Sequence, residues 1–142
     1  MKLEFEMVPE ECWYKNLRSI LPPKEWDKIR IAAYARADGR CMICHRKVSR
    51  LEAHERWSYD EENAVQKLED VIAICHSCHS VIHYSRTALM GHGEEAMEHY
   101  RKVNHATQSE FHEALAEANR VYLRRNKIEA WQTDLTWLKH NG

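Results

Sequence analysis

The sequence predicts an α+β fold gathered on a zinc-binding core, and three observations lead to it. Two C-x-x-C pairs, Cys41/Cys44 and Cys75/Cys78, stand thirty residues apart. Helical periodicity marks segments on both sides of that core, and alternating apolar stretches mark both ends of the chain. The 142 residues suffice for one domain, 1–142, with a modest core dressed with extra helices.

Taken in order, "KLEFEM" puts Leu3, Phe5 and Met7 on one side of a strand and charges on the other. "PPKEWDKIRIAAYARADG" reads as a helix: Pro22 and Pro23 open it, Trp26, Ile29 and Ala33 repeat along one face, and Gly39 stops it. Between the cysteine pairs, "KVSRLEAHERW" reads as a strand and "SYDEENAVQKLED" as a polar connection too charged to be core. The β-branched run Val71 to Ile74 leads into the second pair. From about Ser77 a helix runs through "CHSVIHYSRTALM" to the glycines Gly91 and Gly93. "EEAMEHYRKV" has acids in its first turn and bases in its last, as the helix dipole favours. Thr107 and Glu110 have capping-box spacing, and Phe111, Leu115, Ala118 and Tyr122 follow on one face of what should be the longest helix. In "WQTDLTWL", Trp131, Thr133, Leu135 and Trp137 alternate as in a strand, expected to pair with Leu3 to Met7 and tie the chain ends together.

Lys plus Arg total 21 against 22 Asp plus Glu, a formal charge of -1, so no overall basic field advertises nucleic acid and any such binding must use a local patch. No run of about 18 apolar residues occurs. The start, "MKLEFEMVPEECW", lacks a signal-peptide core, and a cytoplasmic protein that contacts no membrane is expected. Five cysteines fit a disulfide framework poorly, and in a reducing cytosol the two pairs favour metal. Cys12 stands apart as an ordinary buried or free thiol.

A structural zinc takes four ligands in a tetrahedron, which Cys41, Cys44, Cys75 and Cys78 supply; four unrelated buried thiols are the bland alternative. That leaves the histidines of "CHSCHSVIH". His79 and His83, four apart on a helix, share one face and can reach a single ion. His54, in "LEAHERW", is the candidate third ligand. The alternative makes these exposed helix histidines and a strand-end histidine bonded to backbone. Three known zinc patterns do not fit. Ser58 stands where a metalloprotease helix needs its second histidine, Ile74 where a deaminase needs proline, and Cys44 to His79 is far too long for a C2H2 finger.

The order C-x-x-C, strand ending in His54, second strand, then C-x-x-C-H-x-x-x-H on a helix resembles the HNH nucleases, whose ββα-metal core sits on a treble-clef zinc scaffold. The resemblance covers Trp26 to Arg86, with flanking N-terminal helix and a helical extension over 94–142. It implies a phosphodiester-hydrolysing endonuclease with structural Zn²⁺ on the four cysteines and a second divalent metal on His54, His79 and His83. Mg²⁺ prefers oxygen, so an all-imidazole set points instead to Zn²⁺, Ni²⁺, Mn²⁺ or Co²⁺. Two positions depart from the family. Glu55 stands where the general-base histidine follows the hairpin ligand, and Asp70 where an asparagine usually precedes the second pair. A carboxylate, with an ordinary pKa of about 4, is a weak base unless buried. In the alternative assignment, His54 is the base and Glu52, on the same strand face, is the ligand.

Arg46, Lys47, Arg50, Arg56 and Arg86 are the candidate phosphate contacts, with Arg124, Arg125 and Lys127 farther along; a solvated face is the other reading of both runs. Trp57 and Tyr59 either stack on an unpaired base or line the cleft, or else belong to the core. The expected partner is nucleic acid, DNA ahead of RNA, with a structured nucleic acid or a partner protein directing it. A competing expectation is an HNH-like adaptor that has lost cleavage and binds protein or nucleic acid.

Overall fold

A computed structural model describes residues 2–141, which form seven α-helices and one three-stranded sheet. A 3-10 turn at Glu10–Cys12 precedes α1 (Leu17–Ile20) and α2 (Pro23–Ala37). The hairpin β1 (Glu52–Asp60) and β2 (Val65–Ile74) follows, then α3 (His76–Ile82), α4 (Tyr84–Leu89), α5 (Gly93–Asn104) and α6 (Gln108–Asn126). β3 (Gln132–Asp134) and α7 (Trp137–Asn141) come last. No helix among the described residues is long and apolar enough to cross a membrane.

α2 forms as its sequence predicts. Proline fixes φ near the helical value at the first turn, Trp26, Ile29 and Ala33 are the buried face, and Asp38 (φ 51°) and Gly39 (φ 79°) turn left-handed to end it. The capping box of α6 is present in both directions, Thr107 Oγ1 accepting from Glu110 N and Glu110 accepting from Thr107 N.

β2 is the central strand, antiparallel to β1 and parallel to β3. Its side chains alternate between two cores. Ile72 and Ile74 join Leu3, Val81, Tyr100 and Phe111, whereas Val71 and Ala73 join Leu17, Trp26, Ile29 and Ala33. Burial on both faces is why "VIAI" carries no polar residue, and fully burying a side chain such as Phe111 contributes about 1.5–3 kcal/mol.

Four expectations are corrected. "SYDEENAVQKLED" is no loose connection: β1 runs to Asp60 and β2 begins at Val65. Its charge lies on one side of a half-exposed hairpin, Lys67 and Glu69 outward, while Gln66 and Leu68 are buried. β1 also starts later than expected, because the chain from Arg40 to Lys47 is folded into a knuckle with a single bridge between those residues. The helix from Ser77 breaks at His83 (φ −103°, ψ 50°), and the Thr87 hydroxyl donates to the Ser80 carbonyl at 2.7 Å, satisfying a group the break would strand.

The terminal strands do not pair. Leu3 to Met7 is extended but outside the sheet, held by Leu3 N to Asn104 Oδ1 (3.1 Å), Asn104 Nδ2 to Leu3 O (2.8 Å) and Glu6 N to Ile82 O (3.0 Å). Phe5 draws it toward α5 and α6, stacking on Tyr100 at 5.2 Å and meeting Phe111 edge-on. At the other end, Asp134 accepts from Thr136 N and Oγ1, turning the chain after three strand residues so that Leu135, Trp137 and Leu138 pack on the α2 side. The two ends are therefore drawn to opposite cores.

Candidate functional site

The first cluster joins the knuckle after α2 to the β2–α3 junction. The sulfurs of Cys41, Cys44, Cys75 and Cys78 lie within 4.8 Å of one another, so they can hold a structural metal such as zinc. Zn–S bonds of about 2.3 Å in a tetrahedron require S···S near 3.8 Å. Cys44 Sγ and Cys75 Sγ are 3.8 Å apart. Backbone N–H groups of Ile43, Cys44 and Cys78 point at the leading sulfurs Cys41 and Cys75, each at 3.4 Å, and His45 (φ 64°) turns the first knuckle. Hydrogen bonds from the thiols of Cys75 and Cys78 hold Cys41 far below the usual thiol range, while those to Cys41 and Cys75 push Cys78 up. Both shifts have the neighbouring thiols as their cause, as expected where four thiolates would need a cation.

His99, on α5, was not anticipated here: its Nε2 lies 3.1 Å from Cys78 Sγ. A helical signal existed, since His99 follows the buried Ala96 by three residues and precedes the buried Tyr100. Cys12 lies elsewhere, the buried last residue of the 3-10 turn, its thiol pushed up to about 11 by burial and by Glu11.

The second cluster lies between β1 and α3. A ring nitrogen from each of His54, His79 and His83 falls within 4.8 Å of the others, and the ring centroids are 5.0 to 5.6 Å apart. α3 keeps the i, i+4 relation despite ending there, because His83 N still donates to His79 O at 3.2 Å. His54 faces the pair from a buried position on β1, 6% exposed. Burial, then His79 and His54, lowers His83 to about 3, and burial also lowers His79 against the pull of Glu52. Neutral imidazole is the form that ligates a metal.

Two carboxylates serve these rings. Glu6 Oε2 is 2.9 Å from His54 Nε2. Glu52 bridges His79 Nδ1 (2.7 Å) and the exposed His76 Nδ1 (3.0 Å). Burial works against the Glu52 carboxylate, but these two partners bring it below the usual range. Glu52 was legible as a same-face neighbour of His54 two residues away. Glu6 was not, since nothing local connects it with a histidine forty-eight positions on.

Glu55 is not at this cluster, which corrects its expected role. Ala53 and Trp57 pack on the α2-side core, and Glu55 between them shares that face. There it accepts from Leu17 N at 2.7 Å, capping α1, and burial raises its carboxyl above the usual range. Asp70 is likewise used locally, accepting from Val71 N.

Trp57 packs, partly buried, against the α2-side core and also lines a cleft beside His54. Tyr59 lines that cleft too; its hydroxyl donates to Gln66 and its ring lies under Arg125 with the guanidinium 4.5 Å away. Arg124 and Arg125 are spent internally, on Glu61 and on Met7 O. Arg46, Lys47 and Arg50 are exposed along the first knuckle, Arg46 reaching Ser77 Oγ at 3.4 Å. Arg56 and Arg86 are also exposed, Arg86 close enough to bear on the charge of His83. Arg56 lines the same cleft, of ≈ 410 Å³, with His54, Glu6 and Lys2. No protein-family model, no curated protein and no solved structure matches this chain.

Proposed function

We propose that this chain is a metal-dependent endonuclease of the HNH type, with one structural zinc on Cys41, Cys44, Cys75 and Cys78 and an exchangeable divalent ion on His54, His79 and His83. The observation that carries the reading is the convergence of three imidazoles, two of them backed by carboxylates, beside the four-cysteine cluster. A purely structural core would not need that second set. When bound, such an ion supplies Lewis acidity toward a phosphoryl oxygen and acidifies water toward neutral pH. His54 holds its ring at the cleft wall, and Arg56 and Arg86 offer cations to the flanking phosphates. Net charge of -1 makes the contact with nucleic acid a local one.

The position of Glu55 favours a second reading. With that carboxylate committed to Leu17 N, the histidine face lacks the proton acceptor that the HNH pattern places after its hairpin ligand. The same fold would then be an adaptor binding protein or nucleic acid. The deciding experiment is cleavage of supercoiled plasmid and of single-stranded RNA with Mg²⁺, Mn²⁺, Ni²⁺ or Zn²⁺ added, beside a His79→Ala control. Metal-dependent nicking that His79→Ala loses, with its cysteine-bound zinc retained, is the expected result. Equal inactivity of both proteins at full zinc content would replace the nuclease with the adaptor.

A further inference from the structure

We infer that Glu6 and Glu52 are positioning residues which select opposite nitrogens on the two histidines they touch, so that an ion is held through Nδ1 of His54 and Nε2 of His79. The inference rests on the reading of His54, His79 and His83 as one metal site.

A carboxylate accepts a hydrogen bond and cannot donate one, so the ring nitrogen facing it carries the proton. For His79 that nitrogen is Nδ1, hydrogen-bonded to Glu52 Oε1 at 2.7 Å; for His54 it is Nε2, in ion-pair contact with Glu6 Oε2 at 2.9 Å, where two unprotonated acceptors would repel. A neutral imidazole has one proton, and the lone pair is left on the other nitrogen. His54 therefore offers Nδ1 and His79 offers Nε2. The rings stand on different elements, His54 on β1 and His79 on α3, and Glu6 meets the first from the N-terminal segment while Glu52 meets the second from β1. Such an outer carboxylate also raises the basicity of the ring and fixes its orientation.

Glu6 is held for this work. Its own N–H donates to Ile82 O at 3.0 Å, next to His83, and the neighbouring Phe5 is stacked on Tyr100. The Glu6 side chain is 15% exposed and that of His54 6%, so the pair is shielded from water that could otherwise substitute for it. Glu52 is more open at 29%, and it shares itself with His76, which is 82% exposed. Together the two carboxylates stand directly behind two of the ligands, a setting that matches a divalent cation and would repel an anion. The extended segment ahead of α1 thereby becomes part of the site.

The test uses the full chain with zinc on its cysteines and titrates Co²⁺ as the probe, followed by its visible absorption. The native chain is expected to bind one Co²⁺ beyond the cysteine-bound zinc, and Glu6→Gln and Glu52→Gln each to weaken that binding about 10–100-fold. Native protein loaded with ¹¹³Cd and labelled with ¹⁵N supplies a measurement that needs no variant: coupling should appear at Nδ1 of His54 and at Nε2 of His79. Native-like Co²⁺ affinity in both glutamine variants, or coupling at His54 Nε2, would overturn the inference and leave the metal site standing. A native chain that binds no second ion would remove the site itself, and the inference with it.

Discussion

Glu55 carries the clearest residue-scale consequence. Its carboxyl is raised by burial, despite the hydrogen bond from Leu17 N that works the other way. A carboxyl held above its unfolded value binds more protons in the folded state between the two pKa values. Stability therefore falls as pH rises from about 4.3, the unfolded glutamate value, toward the raised folded one, and is level above it. Glu55→Gln keeps an acceptor for Leu17 N and has no charge to bury. The variant should lose less stability than the native chain between pH 4 and pH 7, read as the change in urea midpoint. Parallel pH profiles would mean that the carboxylate reaches water and carries no such burden. The identity of this residue was legible and its role was not. The letter after His54 suggested catalysis, but strand alternation sends adjacent side chains to opposite faces, and only the packing of Ala53 and Trp57 tells which face is which.

At the scale of elements, what the sequence disclosed was whatever short-range chemistry decides. Pro23 and Gly39 bracket α2, Thr107 and Glu110 open α6, and the cysteine spacing locates both knuckles, because each of these signals acts within a few residues. The break at His83, the bulge after Arg56 and the capture of the Phe5 segment by Tyr100 and Phe111 depend on partners far along the chain, and no local period encodes them. The same distinction separates the site residues. The four cysteines and His54, His79 and His83 were legible from spacing, whereas Glu6 and His99 arrive from other elements. His99 gives the second prediction, since it connects α5 to the thiol cluster through Cys78. His99→Phe preserves bulk and removes the N–H, and should speed zinc loss to a chromogenic chelator about 10-fold, while His99→Gln, which keeps a donor, should lie near native. Identical release from all three proteins would reduce His99 to packing between α3 and α5.

For the whole molecule, the question is whether the fold exists without its metal. Cys41, Cys75 and Cys78 are at most 1% exposed and belong to the same core as Leu3, Ile72, Val81 and Phe111, so the cluster sits inside the packing. Structural zinc in small domains contributes about 10–16 kcal/mol of apparent binding free energy at pH 7. The entire stability of an ordinary domain is about 5–15 kcal/mol. The first quantity is as large as the second, and without a cation the four close sulfurs cannot all be thiolates. Stripping the metal with a chelator should therefore abolish the cooperative thermal transition and the near-ultraviolet signal of the tryptophans, with recovery on adding one equivalent of Zn²⁺. Cys78→Ser should reproduce the stripped state without a chelator, while His79→Ala, which touches only the second cluster, should still melt cooperatively. A metal-free chain that melts as sharply and at the same temperature as the loaded one would show that the two apolar cores hold the sheet by themselves.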